Sequence, residues 1–257
     1  MRYNMGLEER IKEFEKISFN FIEIGSYSVE ELGAEKVKEI IFNSTLKPIS
    51  YHAVLNYFLD EELDTYEHKM VEALELAKFF NVNLVSFHPG RFKNNREKAR
   101  ESLVMVLNET VRKSKNTNIT LAVENMAQPD KNNLIMTANE IDYFLKNVPE
   151  LKLCLDVSNA TQMGIDVVDF AKKFKDKIVA LHMSDAFLYK KDAESRHLPL
   201  GKGEINFPKL VEVFKNEDIK YILEIRFSHG LNEIASSKSY LQSLIVKTFS
   251  KNGRTGI

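Results

Sequence analysis

The chain alternates short runs of apolar residues with longer amphipathic stretches. Seven runs have strand length, at 19–25, 48–54, 84–90, 120–126, 151–159, 178–185 and 221–227. Each is close to continuously apolar, as in parallel strands covered on both faces. Between the runs, Leu63, Tyr66, Met70, Leu74, Ala77 and Phe80 share one stripe at helical spacing, and Ala99, Leu103, Val106, Leu107 and Val111 share another. Acidic starts such as Glu61 and Glu62, and basic ends such as Lys113 and Lys115, suit the helix dipole. Strict alternation of strand and helix predicts a parallel sheet with right-handed crossovers. The expected fold is α/β, a (β/α)8 TIM barrel over residues 1–250 as a single domain, with a flexible tail at 251–257. Only residues 2–5 precede the first helical stretch, so the first strand is short or missing. An open doubly wound sheet is the alternative, but no glycine-rich phosphate loop follows any strand.

Composition narrows the class. The 257 residues are 44% apolar and 28% charged, an ordinary soluble composition. Thirty-six basic residues against 37 acidic ones give a net charge of −1, which speaks against a generally polycationic nucleic-acid binder and leaves room for a local basic patch. No apolar run approaches the ~18 residues of a transmembrane helix, and the first residues lack a secretory-signal pattern. The single cysteine, Cys154, excludes an intramolecular disulfide and fits a reducing, cytoplasmic location.

The chemistry lies at the ends of the strands. Six of them finish on a side chain able to bind a metal: His52, His88, Glu124, Asp156, His182 and Glu224, each about one strand-plus-helix unit from the next. In a barrel, all six point to the C-terminal rim, where such folds place their active sites. Imidazoles and carboxylates are costly to bury unpaired, and three converging acids repel one another unless a cation lies between them. A mixed His and carboxylate set suits Zn, Mn, Co or Fe better than Mg or Ca. Glu124, Asp156, His182 and Glu224 form the expected metal quartet. His52 and His88 either hold a second ion through a bridging Glu124 or contact substrate. Further substrate-binding candidates are Asp185, three residues after His182, and His197, Arg196 and Arg226 in or near the rim loops. Excess positive charge on that face, Arg91 included, suits an anionic ligand. Lys98 and Arg100 read instead as solvated helix charges, and Cys154 as buried filler.

At these residues the sequence resembles the xylose-isomerase-like TIM barrels, a superfamily of sugar isomerases and epimerases that also holds endonuclease IV. The resemblance rests on Glu124-Asn125, on the Leu-Asp strand ending at Asp156, and on the His182 strand with its His197-Leu-Pro-Leu-Gly-Lys-Gly-Glu-Ile205 loop. His52-Ala53 and His88-Pro89-Gly90 resemble endonuclease IV. By that resemblance His52, His88 and Glu124 would hold one zinc, and Glu124, Asp156, His182 and Glu224 the next. The third zinc of that group needs a histidine where this chain has Asn159, and an aspartate where it has Ser195. Asn159 also matches a position that is commonly a substrate-binding histidine in the epimerases, where an amide can still hydrogen-bond a sugar hydroxyl.

The resemblance implies a divalent-metal-dependent isomerase or epimerase of a small sugar or sugar phosphate, with one or two ions. Glu124 and Glu224 would move the proton through a metal-held enediolate. The alternative is an endonuclease IV-like hydrolase cutting abasic DNA, and DNA is an expected partner only under that alternative. A metal- or sugar-binding barrel without catalysis is a third reading. No membrane partner is expected, and the oligomeric state is open.

Overall fold

The computed structural model describes residues 5–127, 131–188, 190 and 193–250. All seven expected strands are present: β1 (Phe21–Gly25), β2 (Lys47–Ala53), β3 (Leu84–Phe87), β4 (Thr120–Glu124), β5 (Lys152–Asp156), β6 (Ile178–Met183) and β7 (Lys220–Leu223). β1 to β4 pair in chain order, as do β5 to β7, and the described pairings are parallel. Residues 2–4 of the expected first strand and the 251–257 tail lie outside the described residues. No helix of the described residues is long and apolar enough to cross a membrane.

The chain forms two compact units. The first runs to Glu124 and includes 132–135 and 142–152; the second begins at Asn125 and includes 136–141 and the chain from Leu153 onward. In the first unit, β1 to β4 alternate with α1 (Leu7–Lys16), α2 (Ser26–Leu32), α3 (Ala34–Phe42), α4 (Leu63–Phe79) and α5 (Arg96–Ser114). The stripe expected on α5 is wholly buried, as are Tyr66, Met70, Leu74 and Ala77 of α4. At roughly 1.5–3 kcal/mol for each large side chain buried, these faces, rather than helix propensity, hold the helices to the sheet. The Asn95 side chain caps α5 by accepting from the Lys98 backbone N–H at 3.0 Å.

The turn leading into α5 is built on Asp60. Its carboxylate accepts from the backbone N–H groups of Lys93, Asn94 and Asn95 at 2.7–2.9 Å. Burial opposes the charge, but the three donors outweigh it and lower the carboxyl pKa to about 2. Because the folded-state value is depressed, the stabilisation is present above the ordinary carboxylate range and is lost as pH falls toward 2. Asp60→Asn, which keeps one acceptor and loses the charge, is expected to cost ~1–2 kcal/mol at neutral pH. The difference from wild type should shrink below pH 3, as read by urea titrations at both pH values.

The second unit carries β5 to β7 with α7 (Val157–Gln162), α8 (Val167–Phe174), α9 (Phe207–Val213) and α10 (Leu231–Ser250); α6 (Ala138–Asn147) spans the division of the chain. Several strands are shorter than their apolar runs imply: β3 to β7 end at Phe87, Glu124, Asp156, Met183 and Leu223. The run 151–159 stops being a strand at Asp156, whose side chain accepts from the Asn159 N–H at 2.7 Å and so starts α7. Asn159 therefore sits in a helical turn, not at a strand end.

Candidate metal centre

In the first unit, strand register and the two-residue period of a strand place the site. His52 pairs with Ser86 and Val85 with Leu121, so His52, Ser86 and Ala122 share one face; His88 and Glu124, two residues further on, face the same way. His52 Nε2 and His88 Nε2 approach the same Glu124 oxygen, Oε2, at 3.5 and 3.6 Å. The two rings meet edge to face at 5.1 Å. His88 is held from behind by Asn56 Oδ1, 3.2 Å from Nδ1, and by the Tyr66 hydroxyl donating to its carbonyl at 3.1 Å. Gly90 lets this loop close: its φ of +77° is left-handed, and a Cβ there would overlap Leu59.

In the second unit, Asp156 pairs with His182, and Glu224 follows β7 with its N–H bonded to the Met183 carbonyl at 3.1 Å. Ligand atoms of Asp156, His182 and Glu224 lie within 4.8 Å of one another. His182 Nδ1 and Glu224 Oε2 stand 3.0 Å apart. Asp156 is fully buried; one oxygen caps α7, while Oδ2 has no hydrogen-bond partner. Burial pushes its carboxyl upward, opposed by charge on His197 and His182 and reinforced by the negative charge of Glu224.

These are signs of a cation site. Ligands ~2.1 Å from one ion are separated by about 3.0 Å at octahedral and 3.4 Å at tetrahedral edges. The His182–Glu224 approach and the two His–Glu124 approaches fall close to those lengths. An orphaned, buried carboxylate oxygen supplies the cost that an ion would remove. The residues therefore fit a divalent metal, and mixed nitrogen and oxygen donors favour a transition-series ion over Ca or Mg.

The sequence names Asn125 only as part of the Glu124-Asn125 motif, without a role, and Glu23 not at all. The Asn125 side chain clasps Asp156 from both sides, donating to its carbonyl at 2.9 Å and accepting from its N–H at 2.8 Å. Glu23 stands on β1 and accepts from two serine hydroxyls. The available signal was an acid inside the apolar run Phe21-Ile22-Glu23-Ile24.

The expected substrate-binding residues are placed differently from one another. His197 holds a left-handed φ of +52°, rare for a side chain other than glycine. Its N–H donates to Ser158 Oγ at 3.1 Å and Nδ1 lies 3.3 Å from Ser184 Oγ. Asn159 donates to the Asn125 carbonyl at 3.1 Å, bracing the Asp156 clasp. Asp185 is buried, and both its oxygens accept backbone N–H groups, from Ala186, Gly201 and Ile205. A Cβ on Gly203 would overlap Asp185 and the Ala186 carbonyl, so glycine is required by close approach there. Arg226 is buried, with Nη1 3.4 Å from Glu194. Arg196 is half-buried in the loop before His197, of which residues 191 and 192 lie outside the described set. Arg91 lies 4.8 Å over the Phe58 ring. Arg100 pairs with Glu97 at 2.8 Å and lies 4.0 Å over the Tyr143 ring, and Lys98 donates to the Asp60 carbonyl at 2.8 Å.

A 145-residue stretch is 32% identical to the "Uncharacterized protein MJ1188" of Methanocaldococcus jannaschii, covering 54% of this chain and 50% of that protein. A 196-residue stretch is 25% identical to a "Probable endonuclease 4" of Mycoplasma capricolum subsp. capricolum, over 70% of this chain and 65% of the other. The chain thus spans about half to two-thirds of these curated relatives. Among solved structures, a D-tagatose 3-epimerase-like protein superposes with a TM-score of 0.80 at 19% identity, covering 96% of both chains. A protein named IOLI, solved with a zinc atom, superposes at 0.74 with 19% identity, covering 96% of this chain and 94% of the other. At these identities the superpositions show the fold. The family model described as xylose isomerase-like TIM barrel matches residues 11–244, and the chain belongs to that family.

Proposed function

We propose that Glu124 joins Asp156, His182 and Glu224 around one divalent cation, and that the protein is an isomerase or epimerase of a small sugar or sugar phosphate. The observation that carries this reading is the buried Asp156 Oδ2, without a hydrogen-bond partner, beside His182 and Glu224. Chain connectivity supports including Glu124, because it directly precedes Asn125, whose side chain grips Asp156. When bound, the cation would polarise a substrate carbonyl and its neighbouring hydroxyl, lowering the cost of removing a proton from carbon.

The two glutamates differ in a way that suits proton exchange. The Glu224 side chain is 46% exposed and that of Glu124 only 3%. Glu124 would keep its proton shielded from water, and Glu224 would face the entering sugar. Asp156 and His182, both inside the second unit's core, would fix the position of the substrate oxygens rather than move protons.

A second reading has its own observation. His52, His88 and Glu124 offer ligand atoms within 4.8 Å of one another, enough for a second ion. Two ions suit an endonuclease IV-like hydrolase acting on abasic DNA. Asn159 and the buried Ser195 stand where a third ion would need a histidine and an aspartate, and an amide and a hydroxyl are poor zinc ligands.

Metal analysis of protein purified without chelator separates the two. One ion per chain, with sugar turnover and no cleavage of an abasic-site oligonucleotide, is the expected result. Two or more ions with oligonucleotide cleavage would replace the first reading by the second. His88→Ala is expected to lower sugar turnover by less than tenfold. It should abolish phosphodiester cleavage if that is the true activity.

A further inference from the structure

We propose that Glu23 is a positioning residue, which acts through Ser86 to hold the His52 ring as its Nδ1–H tautomer and so presents the bare Nε2 to a cation shared with Glu124. The inference rests on the metal-binding reading above and adds to it a residue outside the ligand set.

An ionised carboxylate can only accept hydrogen bonds, and a serine hydroxyl has one proton to give. Ser50 Oγ donates to Glu23 Oε2 at 2.7 Å, and Ser86 Oγ donates to the same oxygen at 3.1 Å. The proton of Ser86 is thereby committed. His52 Nδ1 lies 2.9 Å from Ser86 Oγ, so the imidazole must supply the proton of that contact. A neutral ring carrying hydrogen on Nδ1 has its lone pair on Nε2, the atom 3.5 Å from Glu124 Oε2. Ligating histidines characteristically have the other ring nitrogen fixed in this way.

The backbone is shaped to make the relay. Ser50 and Ser86 are fully buried, so their hydroxyls need partners inside the protein. The β1–β2 register shifts between Ile22 and Glu23: Ile22 pairs with Pro48, yet Glu23 pairs with Ser50. Without that irregularity Glu23 would stand beside Ile49. Bulges of this kind re-aim side chains near functional sites.

The test reads the tautomer directly. Protein labelled with 15N-histidine is prepared without metal at pH 8, and the His52 signals are assigned with His52→Gln. The expected wild-type result is a protonated Nδ1 and a bare Nε2. In Glu23→Gln the new amide can donate to Ser86, whose hydroxyl is then free to donate to Nδ1, so the ring proton should move to Nε2. Ser86→Ala removes the acceptor for Nδ1–H while leaving the Glu23 charge, and should shift the proton the same way. It is a small change and keeps the test usable if Glu23→Gln does not fold. Zinc affinity, read by competition with a chromophoric chelator, should fall about 10–100-fold in both variants with no change in the number of ions at saturation.

A wild-type proton on Nε2, or variants that leave it on Nδ1, would overturn the relay. Loss of one zinc at saturation in Glu23→Gln would make Glu23 a ligand, which also overturns it. The metal reading fails separately: wild-type protein with Nδ1–H that binds no zinc would defeat the metal centre. Zinc bound by protein whose His52 carries its proton on Nε2 would defeat only the relay.

Discussion

Glu124→Gln should reduce turnover by about 10³-fold or more, the range expected when a group moving a proton in the transition state is lost. Glu124 is nearly inaccessible and two imidazoles approach the same oxygen, so the amide cannot reproduce its charge toward either. The NH2 group also brings a donor where a ligand oxygen is required. Metal content should fall in parallel, because the same carboxylate belongs to the group with His52 and His88 and to the quartet proposed above. The change is isosteric, so the melting temperature of chelator-treated protein should stay within a few degrees of wild type. Full metal occupancy with activity within tenfold of wild type would remove Glu124 from the centre under both the isomerase and the hydrolase readings.

The second large effect concerns Asp185 and falls on stability. Its buried carboxylate accepts from three backbone N–H groups, of Ala186, Gly201 and Ile205. Asp185→Ala would strand these donors away from water. With a cost of ~1–3 kcal/mol for each buried group left unsatisfied, a total of about 3 kcal/mol or more is expected. Asp185→Asn keeps an acceptor for some of the donors and turns an NH2 toward the rest, so its loss should be intermediate. Equilibrium urea unfolding measures both. The loop from Leu198 to Ile205 should also become sensitive to limited proteolysis in the alanine variant. An alanine variant as stable as wild type would show that water satisfies these donors. From sequence Asp185 is a substrate-binding candidate; in the structure both its oxygens accept backbone N–H groups.

The architecture was legible because its signals are local. A parallel strand covered on both faces must be apolar throughout, and a helix covering it must show a 3.6-residue stripe. Both patterns survive in single segments such as 84–87 and the buried stripe of α5. Strand ends were less legible. At Asp156, a side chain that bonds its own backbone three residues on converts an apolar run into a helix start, and propensity does not distinguish the two.

The candidate ligands were legible for a different reason. Imidazole or carboxylate at the end of each of several apolar runs is too costly to be incidental, so His52, His88, Glu124, Asp156, His182 and Glu224 stand out by type and position. Asn125 and Glu23 did not, because an amide or a lone acid near a strand end has many uses. Only the partners, the Asp156 backbone for one and two serine hydroxyls for the other, reveal their work.

The sequence by itself therefore determined the alternation of strand and helix, the family and the chemical types that end the strands. Tertiary structure decided which of them meet. The β5–β6 register shifts between Leu153 and Cys154: Leu153 pairs with Ile178, but Asp156 pairs with His182 rather than with Leu181. The β1–β2 shift likewise sets Glu23 beside Ser50. Side chains alternate faces along a strand, so a one-residue slip exchanges a ligand for a core residue. That slip depends on the packing of whole strands, and no short stretch of sequence encodes it.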